Sequence, residues 1–165
     1  MSTSTFVVSY ANTVSHVTTK MLLVLKEIIR EIGLDPTRFT KHWQTYEDAV
    51  STWLASRHLR RITLEVYHPR TNGLVTRWDI DVVYSTVGEG RLWFDTTAVR
   101  YAIAKAGLAA SSCLYDIILT NEPGRPKVDG WEACELRSTE GFRRYSIGAT
   151  VGGDGLHAQT AYWSR

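Results

Sequence analysis

The sequence is poor in cysteine and proline, with two cysteines and four prolines among its 165 residues. Cys113 and Cys134 lack the Cys-x-x-Cys spacing that is typical of zinc and redox sites. The composition therefore gives no support to a disulfide-rich secreted fold. The two thiols are able to pair, but we expect them to be reduced, as in a cytosolic protein.

Long apolar runs are also missing. The longest, Met21 to Leu25, is far shorter than the roughly 20 residues that cross a bilayer. The N-terminus is polar, whereas a secretory leader is basic and then apolar. We therefore expect a cytoplasmic protein with no membrane partner.

Neither sign of charge is concentrated along the chain. The 19 basic and 17 acidic residues leave a net charge of +2, which argues against a dedicated nucleic-acid binder. A hydrophobic content of 44% in 165 residues suits a single domain that buries about 70% of the surface of its unfolded chain.

Recognisable catalytic motifs are absent as well. The five histidines occupy separate predicted elements, and there is neither a Gly-x-Ser-x-Gly elbow nor a phosphate-binding glycine loop followed by lysine. The glycine-rich turn at 152–155 leads into a predicted strand, so no helix dipole assists anion binding there. We therefore expect no catalytic residue, no cofactor and no metal site.

One acidic set leaves an alternative open. Glu65, Asp79 and Asp81 fall on neighbouring predicted strands, where three carboxylates would be able to hold the divalent metal of a nuclease. Acidic residues that alternate along a strand more often form its solvated face, and Arg60 and Arg77 are available to balance them. The sequence favours this second interpretation.

Three helices are predicted from apolar periodicity and capping residues. The first begins at Thr13 and ends before Gly33, and the second runs from Pro36 to about Arg57 with an aromatic stripe that we interpret as core. The third follows Asp95-Thr96-Thr97 and ends at Gly107.

Between these predicted helices, apolar and polar residues alternate along the chain. Residues 61–67 and 74–84 predict two antiparallel strands joined by a tight turn at Asn72-Gly73. A short apolar run lies at 92–94, and a third strong strand covers Cys113 to Thr120. Together with the helices, this predicts an α+β fold.

The two ends of the chain have a different character. Residues 1–12 are rich in serine and threonine and are interpreted as a loose arm or as an edge strand through Phe6 to Tyr10. Residues 123–165 open with a stiff hinge at Pro123, Gly124 and Pro126 and continue with three strand-like runs, 131–136, 142–151 and 158–163. These runs are broken by glycines, so we expect this tail to need a sheet edge on which to lie.

The order of elements resembles a HORMA domain, and several strings resemble the bacterial HORMA proteins. These strings are Gly33-Leu34-Asp35-Pro36, Thr52-Trp53-Leu54-Ala55-Ser56-Arg57-His58-Leu59, Leu74-Val75-Thr76-Arg77-Trp78-Asp79, Pro123-Gly124-Arg125-Pro126, Arg137-Ser138-Thr139, Ser146-Ile147-Gly148-Ala149-Thr150-Val151-Gly152-Gly153 and Tyr162-Trp163. Together they extend over nearly the whole chain.

The resemblance implies three helices packed on an antiparallel sheet, in one domain with a flexible arm (1–12), a core (13–122) and a mobile C-terminal safety belt (123–165). The belt of this family wraps over a closure-motif peptide, which adds as a strand to the edge matching Cys113 to Thr120. The implied peptide-binding residues are Tyr115, Ile117, Leu119, Trp131, Phe142, Tyr145, Ile147, Thr150 and Val151.

The resemblance also implies partners. Its bacterial members act in CBASS anti-phage signalling, where the closed, peptide-bound form activates a CD-NTase second-messenger synthase. A Trip-type AAA+ ATPase reopens the clasp by engaging the N-terminal arm, here Ser2, Thr3, Ser4 and Thr5. A second HORMA protein is a further possible partner, and a structural scaffold with a permanently docked tail is the alternative.

Overall fold

The order of elements follows the sequence prediction closely. The structure, a computed structural model, describes residues 8–88 and 90–165. Its elements are α1 (Tyr10–Glu31), α2 (Thr37–Lys41), α3 (Trp43–Ala55), β1 (Leu59–Tyr67), β2 (Leu74–Tyr84), β3 (Trp93–Phe94), α4 (Thr97–Ala106), β4 (Leu114–Asn121), β5 (Arg143–Gly153) and β6 (Leu156–Ser164). The predicted α+β class is confirmed.

Helix α1 is the central helix of the core and begins earlier than predicted. Ser9 is its N-cap, and the Ser9 side chain accepts a hydrogen bond from the backbone N–H of Asn12 at 3.1 Å. The predicted arm is therefore wrong over Tyr10–Asn12, and so is the alternative strand where it reaches Tyr10. The arm residues Ser2, Thr3, Ser4 and Thr5 lie outside the described residues.

The predicted second helix is two helices, so the prediction of three helices is wrong and the described residues contain four. Helix α2 ends and α3 begins around His42, whose φ of −105° and ψ of 20° depart from helical values. A long-range contact holds the short helix, because the Phe39 N–H donates to the Tyr115 hydroxyl at 3.3 Å. The aromatic stripe faces the core as predicted, with Phe39 and Trp53 each 1% exposed.

All six strands form one antiparallel sheet in the order β3-β5-β6-β2-β1-β4. The predicted hairpin of β1 and β2 is confirmed, but its turn is longer than a two-residue Asn72-Gly73 turn. The N–H of His68 donates to the carbonyl of Gly73 at 2.9 Å, which closes a loop of residues 68–73. Strand β4 pairs with β1 on one side and forms an edge of the sheet.

The polar face of β1 and β2 is not the solvated face that alternation predicted. Glu65 and Asp79 are both fully buried. Trp163 on β6 donates from its indole N–H to the Asp79 carboxylate at 2.9 Å, and Thr63 donates to the same carboxylate at 2.9 Å. Side chains from later strands and from the tail cover this face, which local alternation does not reveal.

The tail forms a hairpin, β5 and β6, whose second strand pairs with β2. A tight turn at Asp154-Gly155 joins the strands, with Gly155 at φ 75°. A side chain at Gly153 would lie 2.7 Å from the Thr13 hydroxyl, so this glycine permits α1 to pack closely on β5. The predicted strand at 131–136 is wrong, because no strand pairs with those residues.

Candidate functional site

Residues 122–142, here called the crossing segment, connect β4 with β5 and are fixed first on helix α3. The Trp131 ring lies edge-on to the rings of Tyr46 and Trp53, with centroid distances of 5.7 and 5.6 Å. The Trp53 indole N–H donates to the carbonyl of Pro126 at 2.7 Å, and Arg125 stacks over the Trp53 ring at 4.4 Å. The aromatic stripe of α3 therefore holds this segment as well as the core.

The crossing segment is fixed a second time at Arg137, on the opposite face of the sheet. Arg137 donates from its guanidinium to one oxygen of the buried Glu65 carboxylate at 2.9 Å, and from its backbone N–H to the other at 2.7 Å. The same guanidinium reaches Asp116 at 3.3 Å and Asn72 at 2.8 Å, and it stacks on Tyr67 at 3.6 Å. Both ends of the crossing are therefore held by several contacts.

Between these two fixed points the segment passes around the outer edge of β4 and encloses a groove. Two adjoining cavities of about 550 and 600 Å³ form it, and both are lined by Ile118 and by Cys134 to Leu136. The full lining comprises Arg38, His42, Tyr46, Asn72, Asp116, Ile117, Ile118, Leu119, Thr120, Asn121, Glu122, Pro123, Gly124, Arg125 and residues 132–137.

The main chain of β4 presents unpaired groups to this groove. The Glu122 N–H donates to His58 next to β1, and main-chain groups alternate in direction along a strand. Even-numbered residues of β4 therefore face β1, whereas the N–H and C=O groups of Tyr115, Ile117 and Leu119 face the groove. Among the described residues, no backbone hydrogen bond joins β4 to residues 131–137.

The side chains of these three residues point elsewhere. Ile117 and Leu119 pack against the core, and Tyr115 is 7% exposed. The Tyr115 hydroxyl donates to the carbonyl of Asp35 at 2.8 Å, and Arg38 stacks over its ring at 4.6 Å. The groove therefore meets these residues mainly through their backbone.

Burial raises the pKa of the Tyr46 phenol above its ordinary value, and the charge of Arg38 opposes that shift. Tyr46 is therefore a neutral hydroxyl at physiological pH. It gives the groove a polar group beside the apolar side chain of Leu136.

The remaining predicted peptide-binding residues lie in two places. Trp131 belongs to the crossing segment and fixes it. The other five lie on β5 or directly before it, and three strands separate β5 from β4, a distance of about 19 Å at ~4.8 Å per strand. Those five are Phe142, Tyr145, Ile147, Thr150 and Val151, and the structure does not bring them to the groove.

The hinge residues are at the start of the crossing segment. Pro123 and Gly124 line the groove, and Gly124 has a φ of 82°, a conformation that favours glycine. Pro126 is held by Trp53 as described above. The hinge is thus the point where the chain leaves the sheet edge for the helix face.

The acidic set considered for a metal is engaged by arginines. Glu65 binds Arg137, and Asp79 binds Arg77 at 2.8 Å. Asp81 binds Arg144 at 3.1 Å and is also paired with Arg61. Within residues 8–88 and 90–165, no three His, Cys, Asp or Glu side chains are grouped to hold a metal ion, so the structure offers no support for the nuclease alternative.

Sequence reasoning did not identify the role of Arg137 or of Glu65. Their pairing joins positions 72 residues apart, and no local pattern signals it. The stripe containing Tyr46 and Trp53 was identified, but only as core.

Comparison with known proteins gives the family. The model for bacterial HORMA domain 2 matches residues 1–165. No match was found among curated proteins.

Solved structures share the fold at low identity. A chain of the mitotic checkpoint complex has a TM-score of 0.76 at 8% identity, covering 92% of this chain and 98% of its own. C. elegans HTP-2 bound to a HIM-3 closure motif has a TM-score of 0.74 at 15% identity, with coverages of 97% and 93%. The E. coli MS115-1 CdnC:HORMA-deltaN complex has a TM-score of 0.54 at 11% identity, with coverages of 100% and 93%.

The match along the whole chain, the sheet order and the enclosed groove beside β4 agree with one another, and the chain belongs to the bacterial HORMA domain 2 family.

Proposed function

We propose that this protein is a peptide-clasping adaptor, and not an enzyme. Its ligand is an extended closure-motif peptide that adds as a further strand to the outer edge of β4. The observation that carries this proposal is the groove, in which unpaired main-chain groups of β4 lie beneath a segment that is fixed on both faces of the sheet. Strand addition supplies affinity through main-chain hydrogen bonds.

The likeness to solved structures supports the proposal by analogy. HTP-2 is bound to a HIM-3 closure motif in one of those structures and to HTP-3 motif-6 in another. Because the identities are 14% or 15%, the likeness itself concerns the fold. The transfer of peptide binding to this chain rests on its own groove.

The proposed role of the closed, peptide-bound form is to bind and activate a CD-NTase in cytoplasmic CBASS anti-phage signalling. A HORMA protein of E. coli forms a complex with CdnC, which supports this partner class. We further propose that a Trip-type AAA+ ATPase reopens the clasp by engaging Ser2, Thr3, Ser4 and Thr5, and that a second HORMA protein is a partner. Along the described residues no helix has the length and apolar character to span a membrane.

The peptide-binding proposal is tested with a library of acetylated, amidated octapeptides displayed on a solid support. The full chain is expected to select a consensus. In that consensus peptide, N-methylation of alternate amides is then expected to abolish binding for one set of positions and to spare the other, because only every second amide faces β4. Equal loss from both sets, or no selection, would contradict the proposal.

The signalling step needs a separate measurement. The full chain with its selected peptide is mixed with a CD-NTase that it retains in a pull-down from its native host, and cyclic oligonucleotide production is followed. Production is expected to rise only when peptide is present, and a peptide-independent rate would contradict activation by the closed form.

A scaffold with a permanently docked tail is a second candidate, favoured by the long pairing of β6 with β2. Limited trypsin digestion after Lys127 separates the two. A clasp is expected to be cut more slowly when the selected peptide is bound, whereas a scaffold resists cleavage equally in both conditions.

A further inference from the structure

Strand β4 carries an apolar side chain on the face that points away from the core. Ile117 and Leu119 pack against the core formed by the described residues, whereas Ile118 between them lies outside it and lines both cavities of the groove. Because side chains alternate along a strand, Ile118 projects from the opposite face of the sheet. Its neighbours on that face of β4, Asp116 and Thr120, are polar. Ile118 is therefore an isolated apolar position on a polar face.

The crossing segment supplies a second apolar side chain to the same place. Leu136 lines both cavities together with Ile118 and is 36% exposed. It directly precedes Arg137, which is fixed to Glu65 and Asp116 on this face of the sheet, so the backbone at Leu136 is held in place. Like Ile118, Leu136 lies outside the core that the described residues form. The two walls of the groove, β4 and the crossing segment, each present one apolar side chain.

The main chain of β4 determines what comes to lie between these two side chains. The outward-facing N–H and C=O groups of Ile117 and Leu119 flank Ile118, so a strand that pairs with both residues places one of its own residues beside Ile118. Side chains on the same face of adjoining strands are neighbours at the strand spacing of ~4.8 Å. The side chain of that ligand residue therefore meets Ile118 on one side and Leu136 on the other.

We propose that the ligand of this groove carries an apolar residue at the position between Ile118 and Leu136, and that this residue sets the register of the added strand. An apolar side chain there removes apolar surface of all three residues from water. A polar side chain loses water and gains no hydrogen bond from isoleucine or leucine.

The register follows from the two-residue period of a strand. A slip of the peptide by one residue turns every side chain to the other face of the sheet, so the apolar residue would leave Ile118 and Leu136. This inference rests on the proposed function and adds the chemical class of the residue that is selected.

Substitutions in the selected octapeptide test the inference. Each position in turn is replaced by valine and by threonine, which have nearly the same shape and differ by one methyl and one hydroxyl group. At the position beside Ile118, the wild-type chain is expected to bind the valine peptide about three- to tenfold more tightly than the threonine peptide, measured by isothermal titration calorimetry. Added salt is expected to leave this preference unchanged, because neither side chain is charged.

Variants of the chain identify that position. In Ile118→Glu the preference for valine is expected to be lost, and lysine is expected to be preferred to valine there, because opposite charges on adjoining strands attract. Leu136→Ser is expected to weaken the preference for valine at the same position.

Leu114→Glu is the matched control. Leu114 is an exposed apolar residue on the same face of β4 that lines neither cavity, so this substitution is expected to leave the preference unchanged. Thermal unfolding checks that all variants fold.

The failure of this inference is distinguishable from failure of the clasp. A selected peptide in which no position prefers valine to threonine overturns the inference and leaves the peptide clasp standing. So does a preference for valine that survives Ile118→Glu, or one that Leu114→Glu removes equally. Failure to select any peptide overturns both.

Discussion

Arg137 is the residue on which the second fixed point of the crossing segment depends. Its partner Glu65 has no exposed side-chain surface, whereas the Arg137 side chain is 18% exposed. Among the described residues Arg137 is the one cation paired with Glu65. A buried carboxylate that loses its counter-ion keeps its desolvation cost, so removal of one partner is more harmful than removal of both.

We expect Arg137→Ala to lower the free energy of unfolding by about 2 to 4 kcal/mol, measured by urea denaturation. Glu65→Gln in the Arg137→Ala background is expected to recover part of this loss, because the uncompensated charge is then gone.

The control for Arg137 is Arg144→Ala. Arg144 forms its ion pair with Asp81 at 3.1 Å but is 41% exposed, so its loss is expected to cost less than about 1 kcal/mol. Equal costs for the two arginines would contradict a special role for Arg137.

Two tyrosines make stability sensitive to alkaline pH. Burial raises the pKa of Tyr84 strongly and that of Tyr10 less, with the nearby Arg57 charge opposing both shifts. A raised pKa in the folded state means that the unfolded chain releases its proton first, from about pH 10 upward. The neutral tyrosines therefore make their full contribution to the free energy of unfolding below about pH 10, and this contribution is lost as the pH rises further.

The free energy of unfolding is therefore expected to fall between about pH 9.5 and pH 11, measured by urea denaturation across that range. In Tyr84→Phe the free energy of unfolding is expected to fall less steeply over this pH range. At pH 7 the same substitution is expected to cost about 1 kcal/mol, because the hydrogen bond from the Tyr84 hydroxyl to the Leu59 carbonyl is lost. Tyr101→Phe, at an exposed tyrosine, is the control. If the free energy of unfolding of Tyr84→Phe falls with pH as steeply as that of the wild type, Tyr84 is not the titrating group.

At the scale of elements, the crossing segment is held by side chains in place of sheet pairing. Residues 131–136 contribute no strand, and the Trp131 ring between Tyr46 and Trp53 supplies the contact with α3. Such a segment opens locally more easily than the sheet around it, because few backbone hydrogen bonds resist.

We expect Trp131→Ala to accelerate tryptic cleavage after Lys127 by at least tenfold, since removing a packed, partly buried aromatic ring costs roughly 3 kcal/mol or more. Trp131→Phe is the matched variant: the indole N–H of Trp131 has no hydrogen-bond partner among the described residues, so a phenyl ring is expected to keep most of the protection. Equal acceleration in both variants would contradict an anchoring role for the ring.

The elements that the sequence predicts well are those that local patterns encode. The apolar faces of α1, α4, β1 and β2 follow from apolar spacing, and the strand-like runs at 142–151 and 158–163 correspond to β5 and β6. The break at His42, the burial of Glu65 and the missing strand at 131–136 depend on partners far along the chain. For the groove, the family resemblance implied the edge at Cys113 to Thr120, whereas neither the resemblance nor a local pattern indicated the second fixed point at Arg137.

At the scale of the whole molecule, the crossing segment encloses the groove only while both of its ends are held. Release at Trp131 or at Arg137 is enough to uncover the edge of β4. Removal of either anchor opens the same exit for the ligand. The free-energy effects of the two removals on ligand dissociation are therefore not expected to add.

We expect Trp131→Ala and Arg137→Ala each to raise the dissociation rate of the selected octapeptide by tenfold or more. The double variant is expected to be little faster than the quicker single variant. Surface plasmon resonance with the immobilised chain and the peptide in solution measures these rates. Glu140→Arg is the control, because Glu140 is an exposed residue of the crossing segment that lines neither cavity. Multiplicative effects of the two substitutions would contradict enclosure by one continuous segment.

The path of the crossing segment from the helix face, around β4, to the opposite face makes the groove a ring through which a chain is threaded. A ligand sequence that lies between two folded domains is stopped by their bulk and enters only after one anchor has been undone. Loading of such a partner is thus governed by topology as well as by affinity, and its rate is set by the opening of the ring.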